Sequence, residues 1–301
     1  MTPHGYPSPE RFKQALEARI RNAAAALSMD VSRHRQRCVF DRFLARVAAH
    51  FGDRAVLKGG VALTLWISRA RMTRDLDLAL RGRPDDLLVE LRIAGQLDLG
   101  DFFTFDIAPD PRHPTMEGEG IVYEGLRFRA QARLAGKVYG DPFGLDLAFG
   151  DRMLVPPETR TGDDFFAFAG LPLTEVLVYA REVHVAEKLH AFTLPRQREN
   201  SRVKDLPDLA LLATTGAFQS ALLREAIHAT FTHRASHAVP RALPRPPASW
   251  TRAYADMAQE NDLPWSTLEE VFTRTSGFLD PVLRGEEGTW DPSVWSWRGK
   301  S

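Results

Sequence analysis

Residues 58–80 read KGGVALTLWISRARMTRDLDLAL. Two glycines open an apolar stretch of helical character. A strand-like segment follows, in which Asp75 and Asp77 alternate with Leu76, Leu78 and Leu80. In a strand, residues i and i+2 face the same side. The leucines therefore share a face suited to a core, and the aspartates share the other with Ala79. Two like charges that close repel each other, and a bare carboxylate is costly to bury. A divalent cation answers both problems. Oxygen-only ligation suits Mg2+, with Mn2+ as an alternative, held by one or two carboxylates plus substrate phosphates. The glycines supply the other half. Gly59 and Gly60 precede a helix whose first N–H groups and positive dipole end receive an anion. Without side chains there, a triphosphate comes close to the backbone. Each half alone reads as ordinary structure, a strand–helix turn and an exposed strand face. Together they give an anion cradle and, one helix later, a metal-binding pair, which is what nucleotidyl transfer requires.

Around this stretch the pattern is mixed. Helices are expected over Pro9–Leu27, Arg35–Phe51, Val61–Ser68 and Asp85–Leu91, and strands over Val56–Leu57, Leu76–Leu80, Phe102–Ile107, Leu126–Val138, Phe143–Phe149 and Leu177–Tyr179. From Arg181 onward the spacing is helical, with a proline-rich connector at HAVPRALPRPPASW. The fold class is thus α+β: a mixed-sheet domain with flanking helices over residues 1–170, then a mostly helical domain over 171–301, divided near Gly170. The 301 residues, 44% of them hydrophobic, bury a sizeable core. No apolar run reaches 18 residues and the N-terminus lacks a secretory core, so no membrane association is expected. The single cysteine, Cys38, excludes an internal disulfide and fits a reducing cytoplasm, where it reads as a small buried hydrophobe.

The motifs LKGGVALTLW and RMTRDLDLAL resemble the nucleotidyltransferase toxins of the AbiEii type, which include the mycobacterial MenT toxins, within the DNA polymerase β-like nucleotidyltransferase superfamily. Gly59 and Gly60 match that family's turn, Thr73 its hydroxyl position, and Asp75 and Asp77 its metal pair. AEKLHAF, residues 186–192, resembles the family's AEKLxA helix, which implies a nucleotide-handling and catalytic role for Lys188. RVKDLPDLALL, residues 202–212, resembles its RxxDLxDL helix start, with Pro207 where an aromatic is frequent. That match implies function at Asp205, as a catalytic group, or at Asp208, beside the nucleotide. The superfamily also implies a third metal carboxylate on a neighbouring strand, for which Asp146 in GLDLAFGD is the candidate. The resemblance runs from about Phe40 to Leu211. It implies an Mg2+-dependent enzyme moving NMP from an NTP to an RNA acceptor, a tRNA 3′ end, with pyrophosphate released, and a cognate antitoxin as partner. Nucleotidylation of a protein hydroxyl is the alternative acceptor. A catalytically silent nucleotide- or RNA-binding module is the alternative class, disfavoured by the intact aspartate pair.

Each further residue also has a plain structural reading. Asp146 could be an exposed strand aspartate. Asp205 and Asp208 flank Pro207 as N-cap and N3 of a helix start. Lys188 and Lys58 could be solvated. Trp290, Trp295 and Trp297 could stack on bases, but a terminal segment packed on the helical domain is the better expectation. His184 and His190 are six apart and share no helix face, which argues against zinc. Formal net charge is zero, so RNA binding would rest on local patches. The candidates are Arg33, Arg35 and Arg37, the pair Arg202 and Lys204, and the acid-free run holding Arg234, Arg241 and Arg245.

Overall fold

A computed structural model describes residues 5–26, 30–67, 73–115, 125–149, 155–196 and 202–299. The expected helix ends at Leu27 and Ser68 fall outside these residues. Helix α1 (Pro9–Ala26) buries Phe12, Leu16 and Ile20. Helix α2 (Val31–Phe51) starts a turn earlier than its apolar stripe suggests. The cause is Asp30, whose carboxylate accepts from the Ser32 and Arg33 N–H groups at 2.8 and 3.0 Å and caps the helix.

Next come β1 (Ala55–Lys58), α3 (Gly59–Thr64), β2 (Asp75–Leu80), α4 (Leu87–Gly95), β3 (Phe103–Pro109), β4 (Gly125–Leu134), β5 (Lys137–Val138), β6 (Phe143–Phe149), β7 (Glu158–Thr161) and β8 (Glu175–Val178). The single strand expected over 126–138 is a hairpin. Ala135 and Gly136 both take positive φ, 54° and 70°, and form its two-residue turn. The strands form one mixed sheet in the order β3-β4-β6-β2-β1-β8-β7, with β5 on β4. Strand β8 lies beyond Gly170, on the far side of the division expected from sequence.

The leucine face of β2 packs with α1, α2 and α4 in the larger core, which also takes Leu57, Leu145, Leu147, Phe105 and Val178. Within this core Arg46 and Asp101 are both fully buried. The Arg46 guanidinium donates to the two Asp101 oxygens at 2.8 and 2.6 Å and to the Phe103 carbonyl at 2.6 Å. Arg46→Met would leave buried Asp101 with only the Arg42 guanidinium, 3.8 Å away and already engaged by Asp41. It is expected to cost about 3–5 kcal/mol in urea denaturation, and a change below about 1 kcal/mol would contradict that account.

The helices α5 (Arg181–Thr193), α6 (Asp205–Ala213), α7 (Ser220–Arg234), α8 (Trp250–Glu260) and α9 (Leu268–Leu283) build the second core, with Leu63 of α3 inserted into it. A hairpin of β9 (Thr289–Asp291) and β10 (Ser296–Arg298) closes the chain. Its tryptophans pack, as expected, on the helices. Trp290 is fully buried, its indole N–H donating to the Ala213 carbonyl at 2.8 Å, and Trp297 donates to the Phe278 carbonyl at 2.8 Å. Cys38 is buried, and burial pushes its thiol up, so it is inert.

Candidate active site

The aspartate face of β2 is built by register. Antiparallel pairing sets Lys58 of β1 opposite Asp77, and parallel pairing sets Asp146 of β6 on its other side. Strand β4 then sets Arg127 opposite Asp146. The result is a row across four adjacent strands, Lys58–Asp77–Asp146–Arg127, with cations outside and carboxylates inside. In the next row Asp75 faces Gly144. Glycines hold this space open. A Cβ on Gly144 would lie 2.4 Å from Asp75 Oδ1, and one on Gly59 would lie 1.9 Å from Asp77 Oδ2. One on Gly60 would lie 2.9 Å from Thr73 Oγ1, the hydroxyl that accepts from the Asp75 N–H at 3.4 Å. Gly59 and Gly60 thus clear room for the site's own side chains. They are also the first residues of α3 itself, with Lys58 at its N-cap, whereas the sequence suggested a turn ahead of the helix.

Gly59 takes φ 69°, where an L side chain is strained. Gly59→Ala therefore adds both strain and a clash with Asp77. It is expected to cost about 1–3 kcal/mol of stability and, if Asp77 is a cation ligand, to slow transfer about tenfold or more by displacing it. Urea denaturation and initial rates check this, and an unchanged variant on both counts would contradict it.

Burial, the neighbouring Asp146 and then Asp75 push the Asp77 carboxyl up to about 6, against the pull of Lys58 and Lys188. A carboxylate so frustrated, with a second one two residues away, fits a hard cation. Asp146 is different. Both its oxygens are taken by Arg127, which donates from Nε and Nη2 at 2.7 Å each. Among the described residues no three acidic, imidazole or thiol side chains converge into a closed metal site. The structure thus offers the Asp75–Asp77 pair, with Asp146 alongside in an ion pair.

The helical side contributes Lys188 from α5. Its Nζ lies 2.6 Å from Asp208 Oδ2 and 3.5 Å from Asp205 Oδ1. The two aspartates do not cap α6. Lys204 is the N-cap, no side chain caps the helix, and both carboxylates are buried against Lys188. An ammonium 2.6 Å away is a stronger attraction than the helix's own first N–H groups, so the ion pair wins over the cap. Asp205 Oδ2 has no hydrogen-bond partner despite its burial, with Arg202 Nη1 3.9 Å away. His184, one turn before Lys188, is buried against the Trp66 ring at 5.1 Å. Burial, then Lys188 and Lys58, hold its imidazole down to about 3, so it is neutral.

Sequence reasoning did not single out Arg127 or Glu187. Arg127 sits in an alternating strand, but nothing local shows which residue it faces. Glu187 lies 3.9 Å from Lys58 Nζ and accepts from Arg234 at 3.0 Å, joining α5, α7 and β1. Three of the cations expected to face RNA are spent internally. Arg35 makes two 2.8 Å bonds to Glu17, Arg37 pairs with Asp163, and Arg234 is nearly buried on Glu187.

Strand-borne carboxylates in a mixed sheet, a glycine-opened helix beside them and a lysine on a following helix stand together in this fold. The chain matches the family described as "Nucleotidyl transferase AbiEii toxin, Type IV TA system" over residues 42–274, and it belongs to that family. It is accordingly an NTP-using nucleotidyltransferase of the toxin class. Among solved structures it is similar to MenT4, a nucleotidyltransferase toxin from Mycobacterium tuberculosis, with 15% identity, a TM-score of 0.58, and coverage of 93% of this chain and 92% of that one. That likeness shows a shared fold. A looser one, TM-score 0.39 at 14% identity over 78% of this chain and 90% of the other, is to JHP933 from Helicobacter pylori. No curated protein sequence matches.

Proposed function

We propose that the chain moves NMP from an NTP to the 3′ end of an RNA, a tRNA, in an Mg2+-dependent reaction that releases pyrophosphate. The single observation that carries this is the charged row with its glycine-cleared space, in which two strand-borne carboxylates stand between Lys58 on one side and Arg127 on the other. Asp75 and Asp77 would hold the cation, with substrate phosphates completing its shell. Bound there, it would supply charge neutralisation at the phosphoryl oxygens. Asp77 must be unprotonated to serve. Asp146 is oriented by Arg127 as the third carboxylate on the neighbouring strand. Lys188, held by Asp205 and Asp208, orients the triphosphate as a point charge. The acceptor hydroxyl then displaces pyrophosphate at the α-phosphorus.

The domain division follows the chemistry in this proposal: residues 1–170 carry the carboxylates and 171–301 the lysine helix. Lys204, Arg241 and Arg245 are exposed and Arg202 is partly so, and in this reading these cations meet RNA phosphates. Arg245 pairs with Glu269 at 3.0 Å, but both are well exposed, and such a pair yields readily. A cognate antitoxin and a cytoplasmic setting complete the proposal, and no helix among the described residues is long and apolar enough to cross a membrane.

The acceptor is tested by periodate oxidation of total RNA, which destroys 3′-terminal diols. Oxidised RNA is expected to accept no label from any NTP, while mock-treated RNA accepts it in the tRNA size range. Equal labelling of both would overturn the 3′-end assignment.

A further inference from the structure

Away from the carboxylates, a second polar cluster forms where α7 ends. Ala235 takes a left-handed conformation, φ 47°, with its N–H on the Phe231 carbonyl at 2.9 Å. That turn brings Ser236 and His237 back against α5. Ser236 Oγ lies 2.8 Å from His190 Nε2 and 2.9 Å from His237 Nδ1, and His237 Nε2 lies 2.8 Å from Thr193 Oγ1. The protons can be placed by elimination. Thr193 Oγ1 gives its one proton to the Leu189 carbonyl at 2.8 Å, so it accepts from His237 Nε2–H. His237 Nδ1 is then the bare nitrogen and takes the Ser236 proton. Ser236 Oγ in turn accepts from His190 Nε2–H. Burial holds both imidazoles below their ordinary value, His190 down to about 4, so both are neutral near pH 7. Ser236 itself is exposed. A hydroxyl with a base at its proton, and a third group orienting that base, is the arrangement of an activated nucleophile.

A chain of contacts runs from the cluster toward the site through α5. His190 stands three residues after Glu187 on α5, on the same helix face. Glu187 reaches Lys58, the cation opposite Asp77, and Arg234, two residues before Ser236.

We propose that Ser236 is a self-modification site at which the enzyme places NMP on its own hydroxyl. The proposal rests on the nucleotidyltransferase activity and adds an acceptor within the chain. Ser236 Oγ attacks the α-phosphorus of the NTP and an Oγ–P bond forms. The bond from that phosphorus to the bridging oxygen breaks, and pyrophosphate leaves. The hydroxyl proton passes to His237 Nδ1 and on to solvent.

The test incubates the full chain with Mg2+ and each α-labelled NTP, without and with RNA, followed by intact mass and peptide mapping. The expected result is a gain of one NMP on the peptide containing Ser236. The gain is absent in Ser236→Ala, and about a hundredfold slower to appear in His237→Ala. Ser236→Ala is expected to label RNA at the wild-type rate. Label on another residue, or undiminished label in Ser236→Ala, overturns the proposal. RNA labelled while protein is not overturns the self-modification alone, and label on neither overturns the transferase activity with it.

Discussion

Asp77→Asn is expected to abolish nucleotidyl transfer and, in metal-free solution above pH 6, to make the protein more stable. The two effects share one cause. In the folded chain burial pushes the Asp77 carboxyl up to about 6, while in the unfolded chain it titrates near the ordinary value of about 4. Between those values the folded state binds more protons. Stability therefore falls as pH rises from about 4 to about 6 and stays at the lower level beyond. Asparagine removes that loss. The expected gain is about 1–3 kcal/mol at pH 7, shrinking to nothing below about pH 4. Mg2+ should reverse the order, because it stabilises by mass action only the protein that binds it. Transfer should fall about a hundredfold or more, since one carboxylate of the proposed metal-binding pair is lost. Urea denaturation at pH 4 and pH 7, with and without Mg2+, checks the linkage. A variant less stable than wild type at pH 7 without metal would contradict it.

Lys188→Ala is expected to damage both stability and activity, and the two losses can be separated. Among the ion pairs of the described residues, its ammonium lies 2.6 Å from Asp208, which is fully buried, and 3.5 Å from Asp205, which is nearly so. Removing it takes the 2.6 Å ion pair from Asp208 and leaves Asp205 the more distant Arg202 at 3.9 Å, at a cost of about 3–5 kcal/mol. Combining Lys188→Met with Asp208→Asn removes both ends of the shorter ion pair and should recover most of that stability. It should not recover NTP binding, because the point charge proposed for the triphosphate is gone. Lys188→Arg should recover part of both, keeping charge while changing reach and fork geometry. Calorimetric titration with a non-hydrolysable NTP analogue reads the binding. Normal affinity in the double variant would return Lys188 to a purely structural role.

The central strand was legible because DLDLAL fixes both of its faces by alternation alone, and the sheet buries the leucines and presents the aspartates as that pattern requires. The terminal tryptophans were legible for a similar reason, since large rings seek burial wherever a helical core adjoins them. Arg127 was not legible. Its meaning depends on β4 lying beside β6 in one particular register, a pairing with nothing local to announce it. Asp205 and Asp208 misled in the opposite way. Asp-x-Pro-Asp is a sound local cap signal, and it lost to a buried lysine contributed by another helix. Helix α9 carried a readable start, the reciprocal box between Thr267 and Glu270, but Pro281 near its end blurs the helical pattern. The hairpin at 135–136 was overlooked because Lys137 and Val138 resume the strand character after Ala135 and Gly136, whose positive φ marks the turn.

The most direct test of the site uses one NTP labelled in two positions. Wild-type protein with Mg2+ and total RNA should pass label from the α-phosphate to RNA and none from the γ-phosphate, which leaves with pyrophosphate. Asp75→Asn and Asp77→Asn should pass neither. Label reaching RNA from the γ-phosphate, or α-label transferred undiminished by both asparagine variants, would contradict the assignment of this carboxylate pair as the centre of nucleotidyl transfer.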